Sequence, residues 1–159
     1  MKHPELQTQL QQLCAKLQSF QFGIGGSCLL WHLGLEASPN DIDMVCTEAD
    51  FAAICAALKT DGFTAQNAVP HPQYMSAHFC RFSQSGWPDI ELMAGIAVKQ
   101  HDELVHWTFK PKQCHWQNQI CWMPPADWLQ LYQLFNRPQR VAQLKRYLLE
   151  LTLQSLNNS

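Results

Sequence analysis

The chain has 159 residues, enough for one domain with a real core and too few for two full-sized ones. Apolar residues make up 47% of it, so the chain should fold, and its formal net charge of −2 argues against a broad basic surface for DNA or RNA, a local groove aside. No apolar run reaches the roughly 20 residues of a membrane span. The opening Met1-Lys-His-Pro-Glu-Leu-Gln7 lacks the apolar core of a secretion signal, so a cytoplasmic protein with no membrane partner is expected.

In chain order, Leu6, Leu10, Leu13, Cys14 and Leu17 recur at helical spacing and predict an amphipathic first helix. Phe20, Phe22 and Ile24 alternate as a strand does and lead into Gly25-Gly26-Ser27. The two glycines have no Cβ and admit backbone angles and close approaches closed to other residues. Ser27 stands where a helix begins, and the free amides of a helix's first turn attract anions such as phosphate. That helix should be short and buried, ending at or soon after Gly34. On it His32 reads as a core or boundary residue.

After a loop at Glu36-Ala-Ser-Pro-Asn40 comes a strand from Asp41 to Cys46. The strand period of two sends Ile42, Met44 and Cys46 to one side. Asp41 and Asp43 go to the other, about 6 to 7 Å apart along the chain. Buried carboxylates without partners are costly, so that side must face water or metal. Two such oxygens suit a hard cation, since Mg²⁺ is typically held by one or two carboxylates together with substrate phosphates.

Thr47-Glu-Ala-Asp50 has the form of a capping box, opening a helix on Phe51, Ile54, Cys55 and Leu58 that Gly62 stops. Phe63 to Asn67 reads as a short strand and Val69 to Tyr74 as an irregular loop, because two prolines forbid a regular ladder there. Ala77 to Ser83 and Trp87 to Met93, separated by Gln84-Ser-Gly86, form an expected antiparallel hairpin. Asp89 and Glu91 share one face of its second strand. If that strand neighbours the first acidic one, a third carboxylate reaches Asp41 and Asp43. Leu104 to Phe109 reads as another strand and Gln119 to Met123 as the last. A helix opens at Pro124-Pro125 with Trp128, Leu131, Tyr132 and Phe135 on its apolar side. A break at Asn136-Arg-Pro138 precedes a final helix with Val141, Leu144, Leu148 and Leu151 on one face, and the tail from Asn157 should fray.

Seven cysteines without a Cys-x-x-Cys pair read as reduced thiols packed as small apolar residues. Cys80, Cys114, His115 and Cys121 match no common zinc spacing. The tryptophans are expected in the core or at its rim.

Laid out in this way, the chain resembles small members of the nucleotidyltransferase superfamily that includes DNA polymerase β. Its likeness is to the stand-alone bacterial type related to antibiotic-modifying adenylyltransferases and the minimal nucleotidyltransferases of toxin–antitoxin systems. The resemblance is carried by Gly25-Gly26-Ser27, Asp41-Ile42-Asp43 and Ile90-Glu91-Leu92, and by the closing pair of helices. It implies an α+β fold with a mixed sheet and helices packed on it, as a single domain with a core over about 18–123 and C-terminal helices over about 125–155.

The resemblance further implies transfer of a nucleoside monophosphate from a triphosphate, ATP first among the candidates, to a hydroxyl acceptor with release of pyrophosphate. Asp41 and Asp43 would hold Mg²⁺ or Mn²⁺. Gly25, Gly26 and Ser27 would hold the nucleotide phosphates. Glu91 would complete the metal set and act as base, with Asp89 the competing third acid. Three crowded carboxylates should raise at least one pKa when no metal is bound. Many relatives carry a basic residue just before the acidic triplet, but Glu36 to Asn40 offers none. Lys99, Lys110, Lys112, Arg137, Arg140 and Lys145 are then candidates for neutralising the triphosphate. The rival expectation is an inactive nucleotide-binding or antitoxin-like interaction module of the same fold. The acceptor, and whether a second copy or a protein partner completes the site, stay open.

Overall fold

A computed structural model of the chain describes residues 4–36, 38–66 and 76–158. It packs as two compact units, Met1–Met123 and Pro124–Ser159. Among the described residues no helix is long and apolar enough to cross a membrane.

The first unit opens with α1 (Pro4–Lys16), whose Leu6, Leu10, Leu13 and Cys14 are buried as their spacing predicts. Next come β1 (Phe22–Gly25), α2 (Gly26–His32), β2 (Asp41–Cys46), α3 (Glu48–Thr60), β3 (Thr64–Gln66), β4 (His78–Ser83) and β5 (Asp89–Ala94). The unit ends with β6 (Ala97–Gln100), β7 (Glu103–His106), β8 (His115–Gln117) and β9 (Ile120–Trp122). Seven strands form one mixed sheet in the order β3-β4-β5-β2-β1-β9-β8, and β6 pairs with β7 in a separate ribbon. The β2–β5 and β1–β9 pairs are parallel; β1–β2, β3–β4, β4–β5 and β8–β9 are antiparallel.

The two central strands β2 and β5 carry the same pattern of burial along their six residues. Ile42, Met44 and Cys46 are buried on one side of β2, as are Ile90, Leu92 and Ala94 on β5. On the other side the first two positions, Asp41 and Asp43 or Asp89 and Glu91, stay partly open, but the third, Val45 or Met93, is covered. The alternation of a strand places the acids together. Covering of the sheet beyond them confines the opening to the start of both strands.

Helix ends follow local chemistry. α2 and α3 both close with a glycine in the left-handed region, Gly34 at φ 80° and Gly62 at φ 95°. In α3 the amide of Phe63 donates to the carbonyl of Leu58 and that of Gly62 to Lys59, the paired bonds of a Schellman cap. The start of α3 departs from the expected capping box. Thr47 makes no side-chain cap bond and its Oγ1 is buried without a hydrogen-bond partner, while Asp50 turns away and accepts from the amide of Gln21 at 2.7 Å. Asp50 therefore ties α3 to the entry of β1 instead of bracing its own helix.

Two hairpins differ from the expected strands. The strand expected over Leu104 to Phe109 ends at His106 and pairs back on β6, and β8 precedes the expected last strand. Each turn has two residues at positive φ, His101 (49°) with Asp102 (63°) and Asn118 (51°) with Gln119 (67°). This is the type I′ geometry that matches strand twist, built here without glycine. The expected strand Phe63 to Asn67 is realised over Thr64–Gln66, and Asn67 and the loop Val69 to Tyr74 lie outside the described residues. All seven cysteines are free thiols.

The second unit is a helical pair, α4 (Pro125–Leu134) and α5 (Pro138–Asn157), each with proline in its first turn. Trp128 meets Tyr132 and Phe135 edge to face. Asn136, at φ 56°, takes the left-handed position after α4, with the amide of Arg137 donating to the carbonyl of Tyr132. On α5 Leu144 is fully buried, but Leu151, expected on the same covered face, is 44% exposed.

Candidate active site

The parallel register of β2 and β5 sets Asp41 beside Asp89 and Asp43 beside Glu91. Neighbouring strands lie about 4.8 Å apart, so four carboxyls from two strands share one small patch of the sheet. Both candidates for the third acid reach it. Glu91 is paired with Asp43 in register and in hydrogen bonding, whereas Asp89 stands beside Asp41 at the strand entrance.

The glycine turn is built against this patch. β1 is antiparallel to β2 with Gly25 opposite Asp43. Gly26 follows at φ 59°, and a Cβ there would overlap the Asp43 carboxylate. Ser27 anchors the arrangement twice: its Oγ donates to the carbonyl of Asp41 at 3.2 Å, and its backbone amide donates to the carboxylate of Asp43. In this state both Ser27 donors point at β2. The turn thus presents a main chain without side-chain bulk, packed against the carboxyl group of Asp43.

The electrostatics follow from crowding. Burial first, then the charge and hydrogen bond of Glu91 and the charge of Asp41, push the Asp43 carboxyl well above the usual carboxylate range, against the Ser27 amide that lowers it. Asp41 is raised as well, by burial and then by Glu91 and Asp89, with Arg81 opposing. The expected rise is therefore present at both Asp43 and Asp41.

A residue not singled out from sequence sits among these acids. Arg81 on β4 stands opposite Glu91 in register and its guanidinium bonds Glu91 directly. The same guanidinium lies 3.6 Å from Asp89 and 4.0 Å from Asp41. Of the basic residues weighed from sequence, Lys99 is on β6 in the separate ribbon, Lys112 lies in a 3-10 turn at Pro111–Gln113, and Lys110 is over the Trp107 ring. The signal for Arg81 was available, because the expected hairpin puts an arginine across from the acids of β5. What the hairpin alone does not give is the approach to Asp41, which depends on β2 lying beside β5.

Among the described residues no three His, Cys, Asp or Glu side chains converge as a ready metal cage, either here or at the cysteines. The donor set at the acids nevertheless fits a hard divalent cation: it is all oxygen, it comes from rigid neighbouring strands, and a positive group already lies against it. His32 stacks on Trp122 at 4.2 Å, consistent with a boundary role, and burial lowers its pKa. A separate cavity of about 260 Å³ is lined by Thr47, Glu48, Gly95 and Trp107. It lies toward the C-terminal ends of β2 and β5, and none of the four acids lines it.

No protein-family model and no curated protein matches the sequence. In structure the chain is similar to a Thermotoga maritima protein described as a "putative nucleotidyltransferase", with a TM-score of 0.70 at 18% identity, over 94% of this chain and 96% of that one. At that identity the likeness is one of fold, and the fold is nucleotidyltransferase-like.

Proposed function

From this nucleotidyltransferase-like fold and the acids it gathers, we propose that the chain transfers a nucleoside monophosphate from a nucleoside triphosphate, ATP first, to a hydroxyl acceptor. One observation carries the reading: the register Asp41–Asp89 and Asp43–Glu91 lies against the bare turn at Gly25-Gly26-Ser27. Asp41, Asp43 and Glu91 would hold Mg²⁺ or Mn²⁺, which when bound supplies charge neutralisation at the phosphates. Gly26 keeps side-chain bulk away from the approaching phosphates, and Ser27 holds β2 in place beneath them. In the reaction the acceptor oxygen forms a bond to the α-phosphorus, the bridging α–β bond breaks, and pyrophosphate leaves. Glu91 would accept the acceptor's proton on a carboxylate oxygen. Such transfers depend on positioning and electrostatics more than on covalent help from the protein.

Arg81 gives the rival reading its footing, since a site neutralised from within could bind nucleotide without turnover. Calorimetry with ATP, CTP, GTP and UTP, with and without Mg²⁺, tests the choice. Metal-dependent binding that disappears in Asp43→Asn, together with label transferred from the nucleotide to a component of cell extract, is the expected result. Binding indifferent to metal, or no transfer with any of the four, favours the interaction module.

A further inference from the structure

We infer that Arg81 is a resident counter-ion of the acidic patch that competes with the divalent cation and passes to the triphosphate when that cation binds. The inference rests on the function proposed above and deepens it. Arg81 is the basic group in contact with three of the four acids, Glu91, Asp89 and Asp41. Its guanidinium therefore takes up the charge and lone pairs that a metal would use, while the carboxylates, spread around it, form no ready cage. A guanidinium presents five donors in a fixed fork and recognises carboxylate and phosphate equally well.

Two features make the pose one that can be left. Arg81 Nε is buried with no hydrogen-bond partner, so the fork is incompletely satisfied where it lies. The side chain as a whole is 32% exposed, so its end can reach a ligand arriving from solvent without unfolding β4. Metal and triphosphate then reinforce each other. Metal displaces the arginine, and the displaced arginine gains a phosphate. By linkage, each ligand raises the affinity of the other by the same factor.

The test is Mn²⁺ binding, read by calorimetry and by electron paramagnetic resonance, to the full chain and to Arg81→Gln and Arg81→Lys, each without nucleotide and with a non-hydrolysable ATP analogue. Without nucleotide, Arg81→Gln should bind Mn²⁺ about tenfold tighter than the unaltered chain, a difference well within the reach of either method. Arg81→Lys, which keeps the charge, should stay weak. With the analogue present, the gain in Mn²⁺ affinity should be large for the unaltered chain and several-fold smaller for Arg81→Gln. Equal Mn²⁺ affinity in the unaltered chain and both variants overturns the inference and leaves the proposed function standing. No Mn²⁺ binding by any of them, even with the analogue, overturns both. Should Arg81→Gln not fold, as circular dichroism would show, Arg81→Lys decides. Its loss of coupling to the analogue with Mn²⁺ binding retained supports the inference, and coupling equal to that of the unaltered chain overturns it.

Discussion

Gly26 at φ 59° lies so close to Asp43 that a Cβ on it would come within 2.7 Å of the Asp43 Cβ and overlap the carboxylate beyond. Two penalties therefore fall on Gly26→Ala: the left-handed backbone, and the push against the acid at the centre of the patch. A strained non-glycine residue of this kind costs about 1–3 kcal/mol. The variant should lose that much stability in chemical denaturation and also lose metal-dependent nucleotide binding. Gly34→Ala is the control, since Gly34 has φ 80° but nothing within 4 Å of an added Cβ. It should lose stability and keep binding.

Asp43 also sets how the metal-free protein responds to pH. Its folded pKa is raised well above the ordinary carboxylate value of 3.8, so between the two the folded state holds a proton that the unfolded chain has released. Stability from this group is complete below about pH 3.8 and is lost as pH rises toward the raised folded value. Asp41 works in the same direction. His32 works the opposite way: its pKa is lowered below 6.5, so its contribution is complete above 6.5 and fades as pH falls. Asp43→Asn removes the first effect alone. It should raise the metal-free melting temperature at pH 7.5 more than at pH 4, each kcal/mol relieved showing as about 2–4 °C. Equal shifts at both pH values would contradict the assignment.

The same register that pairs Asp43 with Glu91 separates the roles of the two later acids. Glu91 hydrogen-bonds Asp43 and Arg81, while Asp89 meets Arg81 at 3.6 Å from the edge. Glu91→Gln should abolish Mn²⁺-dependent nucleotide binding. Asp89→Asn, acting through a neighbouring group, should weaken it by about 10- to 100-fold, the usual cost of losing an outer partner of a metal ligand. Calorimetry on the two variants side by side decides, and the reverse order would make Asp89 the third acid.

Much of this was legible from residues alone, where local chemistry and the strand period agree. β2 begins and ends at the expected residues, because Asp41 to Cys46 alternates cleanly and is bounded by Pro39-Asn40 and by Thr47. The face shared by Asp89 and Glu91 follows from the same period. What two acids on a strand could not reveal is the neighbour, since strand order is a property of the whole sheet. Arg81 was legible in part: the expected hairpin sets it across β5, but its approach to Asp41 depends on β2 lying beside β5. The capping box at Thr47 failed because Asp50 found the amide of Gln21, 29 positions away. The β6–β7 and β8–β9 hairpins escaped notice because their turns contain no glycine.

Those turns supply a prediction independent of function. Gln119 is the second central residue of the β8–β9 turn, at φ 67°, where a glutamine side chain crowds the following carbonyl and glycine does not. Left-handed backbone costs a residue with a Cβ roughly 1–2 kcal/mol. Part of the relief is offset by glycine's greater freedom in the unfolded chain, worth roughly 0.5–1 kcal/mol. Gln119→Gly makes the turn Asn-Gly, the preferred pair for this geometry. It should raise the melting temperature by about 1–4 °C, the scale on which about 0.5–1 kcal/mol registers in a chain of this size. Nucleotide and metal binding should not change, since the turn joins β8 and β9, with β1 between β9 and the acidic strand β2. A thermal scan showing no gain, or a loss, would mean that the two central residues do not hold the type I′ conformation.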